Sequence, residues 1–447
     1  PDEMIKKAIT LGVSKVPQPI YSTGLYAGAG EQVAITVEDN TMGLSVIVGS
    51  HMDDLTELAP YQRMPLVYVA KALFPGKNII KNPLGGPIWI KKSLGLKASG
   101  TCSLKIEGVY KSPDFVIGET DLQDWKRRIS ETTVPWLEIR GKHFAFTVQK
   151  DRVLDNLESI SSTLQEVGKE WDEAIEEFFF EYYGLKIDKD AEEKERAPEF
   201  PFRVVLDVQV LGNLYLRNSD YAIVAINNTY MLEEMLNLRT LRIGNSVALL
   251  SAINSMCTYR SRNNPWPADY RAVANAIPLY RIGKKNFSKE NAFGEIFPGE
   301  ENKAIEYAMA DSSKWGKEDA ATKYDDKTAY KAFDLLSLIQ LANYDDNNWE
   351  AMKYLNLKAK EERSIDTSTL SYAFRMLCDY FKQNLCPFFD YWGVEQLDED
   401  RKYAEQYPLM DKKIWEYNPL NPQQLKDYDV SSYCYRHSRR DWKVSAY

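Results

Sequence analysis

Apolar and polar residues alternate along much of the first 150 positions, a pattern typical of strands with one buried face. The alternation is clearest over residues 33–37 and 44–48, and residues 88–90 form a short continuous apolar run after two glycines. Glycine and proline punctuate these runs at intervals that suit tight turns. The pattern predicts short, regularly turned strands, and we interpret residues 1–150 as a β-sandwich domain.

From Asp151 onward, the spacing of apolar residues along the chain changes from a period of two to a helical period. Apolar side chains recur every three or four positions from Leu154 to Phe178, which defines one face of a long amphipathic helix. Gly184 is a plausible end for this helix, because glycine readily takes the backbone conformation found after helix termini. The Glu- and Lys-rich residues 186–198 are then predicted to be an exposed connection.

The remaining chain mixes both patterns. Strands are predicted at 202–210 and 221–226, helices at 230–238 and 247–256, and loops with short helices at 262–330. A helical series follows at 332–341, 349–362 and 370–383. The predicted organisation is therefore α+β, with a second domain at 151–330, a helical subdomain at 331–425 and a C-terminal tail at 426–447.

Charge and composition exclude several classes. The 447 residues carry 56 basic and 65 acidic side chains, a net charge of −9, which argues against general nucleic-acid binding. No run of 18 apolar residues occurs, so no membrane span is expected. The five cysteines form no CxxC pair, and both core thiols and one or two disulfides stay open. Secretion and a cytoplasmic location are both compatible with the sequence.

Histidine is the most informative residue type. The chain has three, His51, His143 and His437, and they are too far apart in sequence for two of them to share one helical turn. An HExxH zinc site on a helix is therefore excluded. The phosphate-binding P-loop, the dinucleotide-binding GxGxxG motif and the GxSxG nucleophile motif are also absent from the sequence. Each histidine is interpreted first as a structural or solvated residue.

Several segments, in order along the chain, resemble the enhancin-type, mucin-active metallopeptidases, also called the M60-like peptidases. In the first domain the similar segments are TGLYAGAGE at 23–31, GSHMDDL at 49–55, RMP at 63–65, NPLGGPIWI at 82–90 and PWLE at 135–138. Further on they are DVQ at 207–209, YAI at 221–223, the helical residues 332–340 and NLCPFFDYWGV at 384–394. The resemblance implies a β-sandwich followed by a gluzincin-like α/β domain and a helical subdomain.

The chain departs from this family at the catalytic motif. Family peptidases hold zinc through HExxH and a downstream glutamate, and the resemblance places that motif shortly after residue 230. Residues 231–250 contain no histidine, and Glu233 and Glu234 alone make a poor zinc site. Either the zinc helix was substituted or its segment was shortened. The second domain is therefore interpreted as a degenerate peptidase-like domain that needs neither metal nor cofactor.

The predicted function is that of a catalytically inactive metallopeptidase-like protein, which acts as a protein-binding or scaffold module in a larger assembly. The resemblance offers a precedent, since animal channel-associated factors carry similar domains. One alternative is a lectin-like binder of mucin-type glycans, and another is an active hydrolase with an unrecognised mechanism. A possible ligand cleft is predicted from the residues Asp207, Gln209, Tyr215, Asn218, Tyr221 and Trp392.

Overall fold

The computed structural model describes three stretches of the chain: residues 3–12, 20–282 and 336–416. The shorter gaps within them fall at residues 40, 58–59, 93–100, 189, 193–194, 199–200, 211–215, 219–221, 244–245, 261–263, 268–269, 271–273, 275, 279, 343, 345–348, 393 and 395. The described residues divide into two compact units. One lies within 1–175 and 197–241, and the other within 176–196 and 242–447.

Eight strands of the first unit join in one antiparallel sheet. Its strands are β1 (Ile5–Gly12), β2 (Ile20–Ala27), β3 (Gln32–Val37), β4 (Leu44–Val48), β5 (Val69–Leu73), β6 (Gly76–Lys81), β7 (Gly86–Lys92) and β8 (Thr101–Lys111). Their order is β5-β4-β7-β2-β8-β3-β6, and β1 pairs with β8. The predicted strands at 33–37, 44–48 and 88–90 are thus confirmed.

The long strand β8 connects the two halves of this sheet. Its residues 104–107 pair with β3, whereas residues 110–111 pair with β2. Aliphatic side chains from both halves, such as Val33, Val46 and Ile106, lie in one buried cluster. The burial of that cluster stabilises the domain through the hydrophobic effect. The α+β class is confirmed, while the division into two sandwich layers stays a prediction.

Six further strands form a second, mixed sheet. They are β9 (Phe115–Val116), β10 (Trp136–Arg140), β11 (Phe144–Gln149), β12 (Phe202–Asp207), β13 (Leu216–Asn218) and β14 (Ile223–Ile226). The order is β13-β14-β12-β11-β10-β9, and β11, β12 and β14 run parallel to one another. Parallel central strands are buried on both faces, and all six residues of β12 are buried.

Helices of the first unit include α1 (Leu122–Glu131), α2 (Lys150–Leu154), α3 (Leu157–Glu173), α4 (Thr229–Leu236) and α5 (Leu238–Arg242). The single long helix predicted from Asp151 is wrong in one respect, because the chain breaks at residues 155–156. There Asn156 Nδ2 donates to Arg152 O over 3.2 Å, and such side-chain-to-backbone bonds compete with helical ones. A π-helix, Ala174–Phe180, continues α3, and Gly184 follows at φ +60°.

The second unit contains helices α6 (Val247–Arg260), α7 (Glu350–Glu361), α8 (Ser371–Phe381), α9 (Cys386–Tyr391) and α10 (Asp398–Ala404). Aromatic packing joins α8 to α9, where the rings of Phe374 and Phe389 meet edge to face at 5.4 Å. A buried carboxylate, Asp400, accepts bonds of 2.6 Å from both Ser371 Oγ and Arg375 Nε. The predicted helices at 247–256, 349–362 and 370–383 are confirmed.

Three predicted segments lie partly or wholly outside the described residues. Of the helix predicted at 332–341, residues 336–341 are helical and the remainder lies outside the described residues, as do the tail at 426–447 and most of 262–330. The domain boundaries proposed from the sequence stay predictions. Among the described helices, none combines the length and the apolar character that a membrane crossing requires.

Candidate functional site

The candidate site lies where β12 ends, and a loop from the first sheet reaches it. This anchored loop comprises residues 50–66 apart from 58–59, and it begins directly after β4. At its start the backbones of Gly49 and Gly86 pass so closely that a Cβ on Gly86 would lie 2.5 Å from Gly49 Cα. Gly86 also has φ +136°, which side-chain-bearing residues rarely adopt. This close approach explains why glycines occur in both family-like segments.

Buried His51 makes one hydrogen bond to the second sheet and one within the anchored loop. Nε2 lies 3.0 Å from Leu206 O, and Nδ1 lies 2.8 Å from Ser50 Oγ. A carbonyl oxygen only accepts, so Nε2 carries the proton and Nδ1 accepts from the Ser50 hydroxyl. Burial lowers the pKa of His51 below its ordinary value, with a smaller opposing effect from Asp207. The imidazole is therefore neutral at pH 7, and neither nitrogen is left to bind a metal.

An ion pair fixes the other end of the loop. Arg63 donates from Nε to Asp207 Oδ1 over 2.9 Å and from Nη2 to Asp207 Oδ2 over 2.8 Å. The same Nη2 lies 3.0 Å from Asp53 Oδ1. Burial by itself raises the pKa of Asp207, but the hydrogen bonds donated by Arg63, together with the charge that His51 carries when it is protonated, outweigh it, so the pKa lies below its ordinary value. The carboxylate is thus charged, buried and paired in a bidentate manner.

Gln209 completes the attachment of the loop. Its side-chain oxygen accepts from the backbone N–H of Gln62, and its Nε2 donates to Pro60 O over 3.1 Å. Its own backbone N–H donates to Asp207 Oδ1 over 2.9 Å. Asp207 and Gln209 were predicted to line a ligand cleft, and the structure brings them together. Their side-chain bonds, however, hold the anchored loop against the end of β12.

The other predicted cleft residues are placed differently. Asn218 lies in β13, where its backbone pairs with Ile223, and Tyr215 and Tyr221 lie outside the described residues. Trp392 belongs to the second unit. Its ring is 3% exposed, and its Nε1 donates to Gln340 Oε1 over 3.0 Å. A shared cleft formed by all six residues stays a prediction.

A second buried network was missed at the sequence level. Arg203 Nη1 donates to Glu138 Oε1 over 2.7 Å, and Trp89 Nε1 donates to the same oxygen over 3.0 Å. Arg203 Nη2 also donates to Ile20 O and to Ser22 Oγ, so the network connects the second sheet to the first. The signal available was a charged residue inside each apolar strand segment, WLEIR and FRVVLD.

A small cavity of about 10 Å³ lies beside this network. Met52 and Trp89 line it from the first sheet side, Val205 and Val224 line it from β12 and β14, and Arg203 supplies a polar wall. A cavity of this volume holds about one water molecule and is far smaller than a small-molecule pocket. The cavity and the attachment point of the loop therefore share the strand β12.

The family resemblance implies a zinc ion, and the residues present do not fit one. The helix that follows the parallel strands, α4, has the sequence TYMLEEML, and its Met231, Leu232, Met235 and Leu236 are buried. Glu233 and Glu234 are its only carboxylates, and no imidazole occurs on α4, α5 or α6. Within the described residues, no three His, Cys, Asp or Glu side chains are grouped so as to hold a metal ion. The donor set that zinc prefers is missing here.

The described cysteines, like the apolar residues of α4, are buried. Cys102, Cys257, Cys378 and Cys386 are buried free thiols, and Cys434 lies outside the described residues. Burial raises the pKa of Cys378 and of Cys386 to about 12. These two thiols are therefore protonated at neutral pH and chemically unreactive.

Comparison with known proteins agrees with this picture. The profile for the N-terminal domain of M60-like peptidases matches residues 5–106, and the profile for peptidase M60, enhancin and enhancin-like proteins matches residues 108–243. A functionally unknown conserved protein from Bacillus anthracis superposes with a TM-score of 0.70 at 20% identity, over 95% of this chain and 84% of that one. The M60 catalytic domain structure of Clostridium perfringens ZmpB gives 0.67 at 16% identity, over 94% and 45%.

Curated relatives are similar over part of their length. Mouse TRPM8 channel-associated factor 3 is 24% identical over 418 residues, which cover 89% of this chain and 40% of that protein. Human TRPM8 channel-associated factor 2 is 27% identical over 195 residues, 42% of this chain and 19% of that protein. The chain thus spans between about a fifth and two fifths of these relatives. The profiles, the fold and the retained segments together show that the chain belongs to the enhancin-type, M60-like peptidase family, as a divergent member without the HExxH zinc motif.

Proposed function

We propose that the protein is a catalytically inactive member of this family that binds another protein within a larger assembly. The observation that carries the proposal is the composition of α4. Zinc-activated hydrolysis needs imidazole and carboxylate ligands around an open metal position. The helix in this place offers buried methionine and leucine side chains together with Glu233 and Glu234. Function depends on sites rather than on folds, so the fold alone does not supply the chemistry.

The framework around the missing motif is intact, which supports a role in binding. The Arg63–Asp207 ion pair and the Glu138–Arg203 ion pair hold the two sheets of the first unit together. Relatives named as TRPM8 channel-associated factors are named for association with another protein. A rigid domain that has no catalytic site can hold a binding surface in a fixed shape for a partner.

Hydrolysis is tested by incubating the full chain with mucin and with casein, in the presence of zinc or of EDTA. We expect no cleavage and no stoichiometric zinc by elemental analysis. The variants Glu233→Gln and Glu234→Gln serve as matched controls, because either carboxylate would be needed as a general base. Cleavage that requires zinc and is lost in one of these variants would overturn the proposal of inactivity.

Association is tested by isolating the protein from its own source under native conditions and determining its mass. We expect it in a complex larger than a monomer. A lone monomer at native concentration would contradict the scaffold role. The glycan-binding alternative is tested on an array of O-linked glycans, with Tyr221→Ala as the variant, because Trp392 is buried. Specific glycan signals that this variant loses would favour that alternative.

A further inference from the structure

Positive charge is concentrated in the first quarter of this acidic protein. Residues 1–111 contain 12 Lys and Arg against 9 Asp and Glu, whereas the remaining residues contain 44 against 56. The N-terminal part therefore has a net charge of +3, and the rest has −12. Such asymmetry between parts of a chain concerns association rather than fold.

Strand pairing places several of these lysines on one face of the first sheet. Across β1, β8, β3 and β6, one row of paired positions consists of Ala8, Lys105, Thr36 and Lys77, and the next row consists of Lys6, Glu107, Ala34 and Ile79. A further pair is Gln32 with Lys81. We call these ten residues the basic sheet face. Within them Glu107 is the one acidic residue, against four lysines.

This face points away from the hydrophobic core. Along β8, Lys105 and Glu107 are partly exposed, whereas the alternate residues Leu104 and Ile106 are fully buried. Successive side chains of a strand point to opposite sides, so the lysine rows lie on the solvent side. On β6, Lys77 and Lys81 are likewise exposed. The face is thus accessible in the chain as described.

The lysines are close enough to repel one another. Lys6 Nζ lies 2.8 Å from Glu107 Oε1, and a hydrogen bond from Lys6, followed by the charges of Lys105 and Lys77, lowers the pKa of Glu107. The adjacent Lys6 also lowers the pKa of Lys105. Glu38, directly after β3, also acts on Lys105, so two carboxylates lie among three ammonium groups. Like charges in neighbouring strands are unfavourable, and an anion placed on this face would relieve the repulsion.

Short side chains between the lysines leave a shallow floor. Thr36 lies between Lys105 and Lys77 in one row, and Ala8 and Ala34 are the other short side chains of the face. Adjacent strands are about 4.8 Å apart, so the backbones at Lys105 and Lys77 are about 10 Å apart on either side of Thr36. An extended polypeptide is about as wide as this interval. At the β6 edge, Lys71 Nζ donates to Ile79 O over 2.8 Å, which brings a fifth ammonium group to the border of the face.

We propose that the basic sheet face docks an extended, Asp- and Glu-rich segment of the protein partner. The inference rests on the proposed function, because it names the chemistry of that partner. A short acidic segment interacts within about one Debye length, roughly 8 Å at physiological salt, and so responds mainly to the local lysines. An anionic bilayer or a nucleic acid extends further and also meets the repulsion of the chain's net charge of −9.

The test uses the full chain and a fluorescein-labelled poly-glutamate peptide in an anisotropy titration. The charge-reversal variant Lys6→Glu/Lys77→Glu/Lys105→Glu should bind about tenfold more weakly or worse, because the affinity comes from charge complementarity. The control variant Lys142→Glu/Lys169→Glu/Lys402→Glu makes the same charge change at three exposed lysines elsewhere and should bind as the wild type does. The variant Lys6→Gln/Lys77→Gln/Lys105→Gln removes the three positive charges from the basic sheet face without adding negative ones. It should give an intermediate loss of affinity.

Two results would overturn the proposal. One is an equal loss of affinity in the control variant, which would show an effect of net charge alone. The other is tighter binding to phosphatidylserine vesicles or to duplex DNA than to poly-glutamate, with that binding lost in the charge-reversal variant. Increasing NaCl from about 0.01 M to about 0.15 M shortens the Debye length from about 30 Å to about 8 Å and should weaken peptide binding.

The outcome is separable from that of the proposed function. If the native assembly forms equally well with the charge-reversal variant, the docking face is wrong and the scaffold role stands. If poly-glutamate binds through these lysines but the native protein is a lone monomer, the acidic-ligand site stands and the scaffold role fails.

Discussion

Replacement of Arg63 by methionine is the sharpest test of how the anchored loop is held. Arg63 is 11% exposed, and its guanidinium makes contacts of 2.8–3.1 Å with both oxygens of Asp207, whose side chain is fully buried. The substitution keeps most of the apolar length of the side chain but leaves a buried carboxylate without its cation. Removing one partner of a buried ion pair costs about 3–5 kcal/mol.

The matched comparison is an exposed pair on α1. Arg127 and Asp124 form an i,i+3 ion pair in which both side chains are about half exposed or more. Arg127→Met should lower the free energy of unfolding by less than about 1 kcal/mol, because water screens exposed pairs. Urea denaturation followed by intrinsic fluorescence measures both variants. Hydrogen exchange measures whether the amide of Gln62, which donates to Gln209, loses protection in Arg63→Met alone.

A double-mutant cycle identifies the cause of the loss. Asp207→Asn removes the buried charge but keeps an oxygen that can accept from the Gln209 backbone N–H. In the Arg63→Met/Asp207→Asn variant, the destabilisation should be smaller than the sum of the single variants by at least about 1 kcal/mol. The reasoning is refuted if the two effects simply add, or if Arg63→Met costs no more than Arg127→Met.

The same pair predicts a pH dependence. The pKa of Asp207 is below its ordinary value in the folded protein, so the unfolded chain binds the proton more readily. The stabilisation is therefore complete above the unfolded pKa of about 4 and is lost as the pH falls through the lower folded pKa. Without Arg63, burial dominates and the pKa of Asp207 rises above its ordinary value. The deficit of Arg63→Met relative to the wild type should thus shrink as the pH is lowered.

Three further changes test other parts of the structure. Glu138→Gln leaves the buried Arg203 without its paired carboxylate and should lower the free energy of unfolding in urea by about 3 kcal/mol. Glu158→Gln, in the exposed pair with Lys126, should lower it by less than about 1 kcal/mol. Equal losses in the two variants would contradict the assigned network. Gly86→Ala should lower the melting temperature far more than Gly76→Ala, because a Cβ at Gly86 meets the backbone of Gly49 while one at Gly76 meets nothing within 4 Å. Cys378 and Cys386 should resist iodoacetamide at pH 8 in the native protein and react after denaturation, since burial raises the pKa of both thiols to about 12. Peptide mapping measures the labelling of each thiol. Rapid labelling of either one without denaturant would contradict their burial.

Local patterns in the sequence were sufficient for most elements of the fold. Alternation predicted β3 and β4, whose alternate aliphatic side chains lie in one core cluster, and an apolar stripe predicted α3, which buries one face. Helix α1 was missed, since just two of its ten residues, Trp125 and Ile129, are buried and the rest of it is polar apart from Leu122. The break at residues 155–156 was also missed, because it depends on a side-chain bond from Asn156 that leaves the apolar period unchanged.

The candidate site was less predictable because its contacts are distant in sequence. Arg63 and Asp207 are 144 positions apart, and Glu138 and Arg203 are 65 apart. Neither spacing carries a periodic signal, so no local pattern could pair these residues. The family-like segments did mark the right neighbourhoods, since His51, Arg63, Glu138 and Asp207 all lie within them. What the segments could not indicate was that Asp207 and Gln209 bind the anchored loop.

These contacts also explain how the family fold could persist without the zinc motif. The bonds of the anchored loop and of the Glu138 network are made by β10, β12, the loop itself and residues of the first sheet. None of these particular bonds involves a side chain of α4. A change from metal ligands to apolar residues on that helix would therefore leave both ion pairs unaltered, and buried Met231 and Met235 would add apolar burial in their place. We therefore expect that restoring HExxH residues on α4 leaves the Arg63–Asp207 coupling energy unchanged.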